Sequence, residues 1–379
     1  MKVVILGCNG GTDLAYGGGA YVAAATASCL EKHGFDVYLL SVIGLDIGRL
    51  SAAHGFKLGS RVKTIYLYDA DKAPRVPHSL SLWMTRAFAP FMRKICPDVV
   101  IFNDDMPAEV LNAVKRLGAR VLLYINFSYL ARKVSKHLMY LTTEWNKLET
   151  LFNTALLASM LTPLSCADAV FANSNATKRY IELLLGCRDI EVLHPPLRVD
   201  VYPSFREKKE NLALHAARQD RTFLESMFCD FIAKCNVQGR KLSVVVGRNR
   251  SRRVARLAKK YPSVLCVDYL PNMLWARLVQ HAGLYLHFKW FEGFGIATAE
   301  AASHGAVPIV FRSHLNGSWT DIVEGRPCFS FSSVEEAVDL VETYQREPAK
   351  RREFSELLIS RLRRFDFGRF SQRLVQQVI

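Results

Sequence analysis

The chain has 379 residues and a mass of 42.8 kDa, which at about 150 residues per domain predicts two domains. Hydrophobic residues make up 50% of it and the mean hydropathy is +0.07, which excludes extensive disorder. Lys and Arg outnumber Asp and Glu by 50 to 35, a net charge of +15 that favours contact with phosphates on nucleic acid, anionic lipid or a small ligand. No stretch approaches the ~18 to 20 apolar residues of a membrane span.

The N-terminal half alternates predicted strands and helices. Strands are predicted at Lys2–Leu6, Phe35–Val42, Thr64–Tyr68, Val99–Phe102, Val121–Ile125 and Ala169–Asn173, and helices at Tyr21–Lys32, Ala108–Leu117 and Lys136–Leu161. The first helix stops at Gly34, because glycine readily takes the left-handed conformation that ends a helix. Continuous apolar strands that alternate with helices predict a parallel, doubly wound α/β sheet.

A second alternating series follows the stretch Leu193–Tyr202, whose two adjacent prolines, Pro195 and Pro196, make it the linker candidate. Strands are predicted at Leu242–Val246, Val264–Val267, Leu284–His287 and Val307–Phe311, and helices at Ser251–Lys260, Pro271–His281, Ala297–Ser303 and Val334–Tyr344. We therefore expect Rossmann-like domains over residues 1–200 and 201–360, and a C-terminal helical segment of undetermined packing over 361–379. Two such domains predict a cleft at the carboxyl ends of both sheets, where open α/β sheets bind ligands.

The segment 290–310 lies in such a strand-to-helix connection. Gly293 and Gly295 let the backbone approach a ligand closely, since neither carries a side chain. The helix predicted to start near Ile296 points free N–H groups and its positive end into the predicted cleft. A diphosphate is an anion that suits such a helix end.

Two glutamates flank this glycine loop. Glu300 falls in the first turns of the predicted helix, where a carboxylate can accept two hydrogen bonds from a vicinal diol such as a ribose. Glu292 precedes the helix, where a carboxylate can meet the hydroxyls of another ring. Taken as isolated acids, the two would more often be surface residues around an ordinary glycine loop.

The whole segment resembles the E-x7-E signature of the retaining GT-B glycosyltransferases of the family 4 type, which use nucleotide sugars. The resemblance implies a catalytic role for Glu292 at the donor sugar and a contact of Glu300 with the nucleotide ribose. The diphosphate would then be held by the backbone of Gly293, Phe294, Gly295 and Ile296. The fold that the resemblance implies is GT-B, two doubly wound domains facing across a cleft.

Three further stretches resemble the same family. Residues 172–181 followed by 192–196 look like the "NS-x-x-T … YPP" junction between the domains. Residues 317–323 look like the "GP-x-x-DIV" segment, and residues 124–128 with Ala167-Asp168 are similar to the "Y-x-HYP … AD" stretch. These details are closest to the mannosyltransferases that add α-1,2-linked mannose to lipid-linked oligosaccharides.

The sequence departs from the family pattern at two places. Asn126 stands where the family has an active-site His, and an amide can hydrogen-bond a sugar hydroxyl but cannot titrate near neutral pH. His137 is the alternative titratable group, although its helical setting favours a surface or packing role. The cations that neutralise the donor diphosphate are best matched by Arg218 and Arg221, at a shorter spacing than the family's Arg and Lys.

The predicted N-terminal domain holds two further candidates. Gly18 and Gly19 open the first long helix; the corresponding loop of the family lies over the donor phosphates or the acceptor, and a plain helix N-cap turn is the equal alternative. The run Asn103–Asp105 ends a predicted strand, where its acids can bind acceptor hydroxyls, although loop solvation is the commoner outcome.

A basic run from 240 to 260 contains no acid. Its nine cations are Arg240, Lys241, Arg248, Arg250, Arg252, Arg253, Arg256, Lys259 and Lys260. From 252 onward most of them fit the solvent face of one helix, so a solvated face is the simplest interpretation. An anionic membrane is the main alternative, and nucleic acid is disfavoured because Tyr261 is the one ring available for base stacking.

Together these features predict an enzyme that transfers a hexose, mannose favoured, from a GDP or UDP sugar to the hydroxyl of a glycan or lipid-linked acceptor, with retention. No metal ion, organic cofactor or nucleic acid partner is expected. The alternatives are a non-catalytic GT-B-like protein that binds nucleotide sugars and a basic nucleic-acid-binding protein. The nine dispersed cysteines indicate a reducing interior, so we expect a cytoplasmic protein, peripheral to the membrane if the basic run contacts lipid.

Overall fold

The computed structural model describes residues 1–7, 17–69, 84–103, 108–126, 166–185, 189–197, 210–216, 222–239, 242–247, 251–267 and 272–379. The chain divides into two compact units. Unit 1 comprises residues 1–173, 177–194 and 368–379, and unit 2 comprises 174–176 and 195–367. None of the described helices has both the length and the apolar character needed to cross a bilayer.

Unit 1 is built on a parallel sheet. Its strands are β1 (Lys2–Leu6), β2 (Asp36–Ile43), β3 (Val62–Tyr68), β4 (Val99–Asn103), β5 (Arg120–Ile125), β6 (Ala169–Ala172) and β7 (Ile190–Val192). The helices described with them are α1 (Gly18–Lys32), α2 (Ile47–His54), α3 (Ala89–Ile95), α4 (Ala108–Lys115), α5 (Asn175–Leu185) and, from the chain's end, α12 (Phe367–Val378). The seven described strands run in the order β3-β2-β1-β4-β5-β6-β7, all parallel.

Small side chains allow α1 to pack deep in unit 1. Every residue from Ala20 to Leu30 is buried, and most of them are Ala, Ser or Thr, so the helix can lie close to its neighbours on all sides. The C-terminal helix α12 contributes to this burial, since Cys29 Sγ lies 3.0 Å from Ser371 Oγ. An ion pair between Arg373 and Glu191 also joins α12 to β7. The last helix of the chain is thus part of unit 1.

Unit 2 has a second parallel sheet. Its strands are β8 (Glu210–His215), β9 (Ser243–Gly247), β10 (Val264–Val267), β11 (Ala282–His287), β12 (Val307–Phe311) and β13 (Ser330–Phe331). Its helices are α6 (Glu225–Val237), α7 (Arg252–Lys260), α8 (Asn272–His281), α9 (Ile296–Ser303), α10 (Val334–Arg346) and α11 (Pro348–Leu362). The described strands are ordered β10-β9-β8-β11-β12-β13 and pair in parallel.

Strand β11 lies inside this sheet and every one of its residues is buried. Just beyond its carboxyl end, Phe288 packs against the rings of Phe228, Phe231 and Phe331, with centroids 4.6–5.3 Å apart. This aromatic cluster fixes the start of the loop between β11 and α9. The loop therefore leaves a rigid strand and enters a rigid helix.

The α/β class predicted from the sequence is confirmed, with a doubly wound parallel sheet in each unit. Strands β1, β10 and β12 have the predicted bounds. Several elements were not predicted: helices α2, α3, α5, α6 and α11, and strands β7, β8 and β13. The helix predicted at 136–161 lies outside the described residues.

Candidate functional site

The loop between β11 and α9 carries the residues of the predicted signature. Gly295 is the N-cap of α9 and has a φ of +86°, a left-handed conformation that favours glycine. A Cβ at Gly295 would also overlap the hydroxyl of Ser318. The helix begins at Ile296, as expected from the sequence, so its first N–H groups lie at the carboxyl edge of the unit 2 sheet.

A second loop, residues 315–318, holds the signature loop by backbone contacts. The Glu292 N–H donates to the Leu315 carbonyl at 3.1 Å, and the Gly317 N–H donates to the Glu292 carbonyl at 3.0 Å. A Cβ at Gly317 would overlap the carbonyl of Gly293, so the two backbones touch where neither has a side chain. Two stretches that the sequence associated with one family thus meet in unit 2.

Asn316 connects this second loop to the signature loop through its side chain. It is fully buried; its Nδ2 donates to the Lys289 carbonyl at 2.9 Å and its Oδ1 accepts from the Ser318 N–H at 3.0 Å. The Ser318 hydroxyl in turn donates to Thr298 Oγ1 in the first turn of α9, at 3.0 Å. A continuous buried network therefore supports the start of the helix.

The third matching stretch also contributes to unit 2. The Ser174 hydroxyl donates to the Gly293 carbonyl at 2.8 Å. The Asn175 N–H and side-chain Nδ2 both donate to Asp321 Oδ1, at 2.8 and 2.7 Å. The signature loop is thus hydrogen-bonded both by Ser174, at Gly293, and by residues 315 and 317, at Glu292.

Glu292 forms an ion pair that the sequence did not reveal. Its Oε2 lies 2.9 Å from Lys289 Nζ; the lysine side chain is 3% exposed and the glutamate side chain 23%. Buried ammonium groups are costly unless paired, so this geometry indicates a specific role for the pair. The signal in the sequence was a lysine inside the aromatic run Phe288–Phe291.

The charges of Glu292 and Glu300 both affect the pKa of one phenol. Tyr285 is fully buried, and burial raises the pKa of its hydroxyl above its usual range. The negative charges of Glu292 and then of Glu300 raise this pKa further. Glu300 lies in the second turn of α9 and is half-buried.

Two buried histidines lie beneath the same loop. Burial is the main cause that lowers the pKa of His215, a hydrogen bond of Nδ1 to the Leu286 carbonyl at 2.9 Å opposes it and the charge of Lys289 adds to it, and together they bring this pKa to about 4. Burial likewise holds the pKa of His287 well below its ordinary value, with the charges of Lys289 and His215 adding to it. Both rings are therefore neutral near neutral pH. Among the described residues, nothing hydrogen-bonds Nε2 of either ring.

In unit 1, side-chain amides form a network along the carboxyl edge of the sheet. Asn126 follows β5 and its Nδ2 donates to Asn103 Oδ1 at the end of β4. Asn103 Nδ2 donates to the Gly19 carbonyl at 2.8 Å, and Asn173 Nδ2, after β6, donates to the Asn126 carbonyl at 2.6 Å. Strands β4, β5 and β6 are neighbours, so the predicted residues Asn126 and Gly19 belong to one network.

Among the glycines that open α1, Gly19 is not required by packing against the described residues. Gly17 is the N-cap of α1 and Gly18 its first residue, as expected, and a Cβ at Gly19 would meet no described atom within 4 Å. The other predicted residues of the site, Arg218 and Arg221, lie outside the described residues, as do Asp104, Asp105 and His137. Within the described residues, no group of three or more His, Cys, Asp or Glu side chains is placed to hold a metal ion.

Helix α7 presents the described part of the basic run to solvent. Ser251 caps the helix, accepting hydrogen bonds from the N–H groups of Arg253 and Val254 at 3.1 Å. Val254 is buried, and it anchors α7 to the core of unit 2. The exposed cations, which we call the basic face, are Arg252, Arg253, Arg256, Lys259 and Lys260.

Comparisons with known proteins agree with this architecture. The family model described as Glycosyltransferase Family 4 matches residues 16–201. Sucrose-phosphate synthase from Thermosynechococcus elongatus superposes with a TM-score of 0.71 at 15% identity, covering 99% of this chain and 98% of its own. WaaG, a glycosyltransferase involved in lipopolysaccharide biosynthesis, gives 0.73 at 13% identity, covering 99% of both chains. A structure of HepE from Anabaena in complex with UDP-glucose gives 0.71 at 14% identity, covering 100% of this chain and 99% of its own.

At these identities the structural likeness is one of fold. With the two doubly wound units, it confirms the predicted GT-B fold. A search of curated protein sequences found no match.

Proposed function

We propose that this chain is a retaining glycosyltransferase that moves a hexose, mannose favoured, from a nucleotide diphosphate sugar to an acceptor hydroxyl. The observation that carries the proposal is the glycine loop that opens α9, with left-handed Gly295 at the N-cap, Glu292 before it and Glu300 in the second turn of the helix. The Glycosyltransferase Family 4 match over residues 16–201 supports the same reaction class. The neighbour HepE, bound to UDP-glucose, supports a nucleotide sugar as donor.

Unit 2 is the donor side in this proposal. The N–H groups from Gly293 to Ile296 and the positive end of α9 would hold the diphosphate, with Arg218 and Arg221 as further cations. Glu300 would accept hydrogen bonds from the ribose hydroxyls, and Glu292 from the transferred sugar. Negative charge develops on the departing diphosphate as the glycosidic bond breaks, so dipoles fixed before the donor binds would lower the barrier.

Unit 1 is the acceptor side. Asn126 would hydrogen-bond a sugar hydroxyl through its side-chain amide, and that bond would replace one that the amide makes within the network. Because an amide does not titrate near neutral pH, this contact would bind and orient without moving a proton. The acceptor we favour is a glycan on a lipid carrier, and GDP and UDP sugars are both donor candidates.

An anionic membrane is the surface on which such an acceptor would be presented. The basic face of α7 offers five exposed cations in nine residues, and phosphate headgroups add roughly 1 kcal/mol per cation near the surface. Flotation with vesicles of neutral and of anionic lipid tests whether the basic face binds the membrane. Binding to anionic vesicles alone, lost in high salt and in a variant with three reversed charges on the basic face, is the expected result. Equal behaviour on both lipids would refute membrane contact.

The donor proposal is tested by thermal unfolding with a panel of GDP and UDP sugars, followed by product analysis. One donor is expected to raise the melting temperature of the wild type and, with a lipid-linked glycan, to give product of unchanged anomeric configuration. Glu292→Gln should abolish transfer and Glu300→Gln should weaken nucleotide binding. Glu356→Gln, which removes an exposed carboxylate paired with Arg352, is the matched control and should change neither.

The outcomes separate the alternatives. No stabilisation by any nucleotide sugar would overturn the donor proposal. Stabilisation without transfer or donor hydrolysis would favour a non-catalytic nucleotide-sugar-binding protein. Retention on nucleic acid at moderate salt, lost when the basic face is reversed, would favour the nucleic-acid alternative.

A further inference from the structure

Lys289 is a buried cation that the roles above do not use. Its side chain is 3% exposed, and it lies among Phe288, Trp290 and Phe291, two of which are buried. Its Nζ is 2.9 Å from Glu292 Oε2. A lysine placed only for packing would be replaced at lower cost by Met or Leu, because an apolar side chain needs no partner for a buried charge.

The backbone at Lys289 is fixed on two sides. It forms an antiparallel bridge with Phe223, and the adjoining Trp290 N–H donates to the Thr222 carbonyl at 3.2 Å. On the other side, Asn316 Nδ2 donates to the Lys289 carbonyl at 2.9 Å. The root of the lysine side chain is thus held independently of Glu292.

Glu292 is held from the same segment. Its backbone bridges to Asn316, the residue that binds the Lys289 carbonyl through its side chain. The backbones that carry the cation and the carboxylate are therefore both held by one short stretch, 315–317. This arrangement fixes the direction of the ion pair rather than leaving it to two mobile side chains.

We propose that Lys289 is a positioning residue for the donor sugar that acts through Glu292. Its ammonium binds Oε2 and thereby orients the carboxylate, so that Oε1 faces the sugar hydroxyls. The neighbouring histidines, His215 and His287, are neutral near neutral pH and do not compete for the carboxylate. The inference rests on the proposed function, because it assigns a role at the site where that function places the transferred sugar.

A double-mutant cycle tests the inference, with Lys289→Met, Glu292→Gln and the double variant, each checked for folding by circular dichroism. Lys289→Met should lower kcat/KM for the nucleotide sugar by about tenfold or more, yet change the Kd of the nucleoside diphosphate alone by less than about twofold. In the Glu292→Gln background the same change should alter sugar-nucleotide affinity by less than about twofold. Lys289→Arg, which keeps a cation, should recover part of the loss.

Lys234→Met is the matched control, since Lys234 forms a 2.7 Å ion pair with Glu335 on the surface of unit 2. It should leave kcat/KM, the Kd of the nucleoside diphosphate and the affinity for the nucleotide sugar unchanged. If Lys289→Met weakens nucleoside diphosphate and nucleotide sugar equally, the lysine contacts the phosphates directly and the inference is overturned. The inference would also be overturned if Lys289→Met weakened nucleotide-sugar binding equally in the wild type and in Glu292→Gln.

Two provisions keep the test decisive. If Lys289→Met does not fold, the cycle is run with Lys289→Arg, whose longer fork should shift the Kd of the nucleotide sugar in the wild type but not in Glu292→Gln. If the wild type neither binds nor transfers any nucleotide sugar, the proposed function itself has failed. An active wild type with an additive cycle refutes only the role of Lys289.

Discussion

Gly317→Ala is the most direct perturbation of the contact between the two loops of unit 2. The new Cβ would overlap the Gly293 carbonyl and also approach the backbone of Phe294, and neither can move by a change of rotamer. Gly317 has φ −61° and ψ −28°, which alanine adopts readily, so the effect is steric and not conformational. The loops must separate, and overpacking of this kind costs about 1–3 kcal/mol.

Separation of the two loops should lower both the melting temperature and the turnover rate. A loss of about 2 kcal/mol corresponds to a fall of roughly 4–8 °C in the melting temperature for a domain of this size. A displacement of about 1 Å at Gly293 would misplace Glu292 and the start of α9, which can cost about 100-fold in kcat. Scanning calorimetry measures the first effect and a donor-turnover assay the second.

Gly247→Ala is the control, because the nearest atom to its added Cβ is 3.7 Å away, an ordinary contact. It should leave both the melting temperature and turnover near wild type. A Gly317→Ala protein as stable and as active as the Gly247→Ala protein would refute the close approach of the two loops, and with it the support that they give to Glu292.

Three further predictions concern stability. The pKa of His215 falls from 6.5 to about 4 in the folded protein, so stability is full above pH 6.5 and up to about 3 kcal/mol of it should be lost as the pH falls towards 4. Urea unfolding measured between pH 7 and pH 5 should show this loss in the wild type and a smaller pH dependence in His215→Phe. Asn316→Ala removes the buried hydrogen bonds to the Lys289 carbonyl and from the Ser318 N–H and should destabilise unit 2 by about 2–4 kcal/mol in the same assay. Asn236→Ala, at a half-buried position, should not reproduce this effect. Asn126→Ala strands a buried acceptor in unit 1 and should cost about 1–3 kcal/mol; unchanged stability would contradict the amide network.

The sequence allowed the elements with continuous apolar runs to be predicted closely. Strands β1, β10 and β12 are such runs, bounded by turns or helices, and their burial leaves little choice of conformation. Helix α11 was missed because it carries charges on most sides and buries few residues, so no apolar stripe marks it. Strand β8 was missed because it follows a charged stretch and ends in a histidine that only the fold shows to be buried.

The place of α12 could not be predicted for a different reason. Its sequence shows an apolar face with Phe370 and Leu374, which indicates that it packs on something. The partner depends on contacts such as Cys29 with Ser371, which join residues 342 positions apart. The periodicity of apolar residues indicates that a helix has a buried face. Which element packs on that face depends on the whole fold.

The same distinction explains what the signature could and could not predict. Glycine loops and acids at fixed spacing are local, so the amino-acid pattern alone places Gly295 and Glu300 at the start of a helix. The groups that hold Glu292 and Gly293 come from residues distant in sequence, Ser174 and 315–317, or are a lysine whose burial no local pattern shows. All of these contacts are made within the protein, so they order the loop independently of the sugar. A preorganised loop would spare the donor the entropy of ordering it, and that binding energy could then serve the reaction.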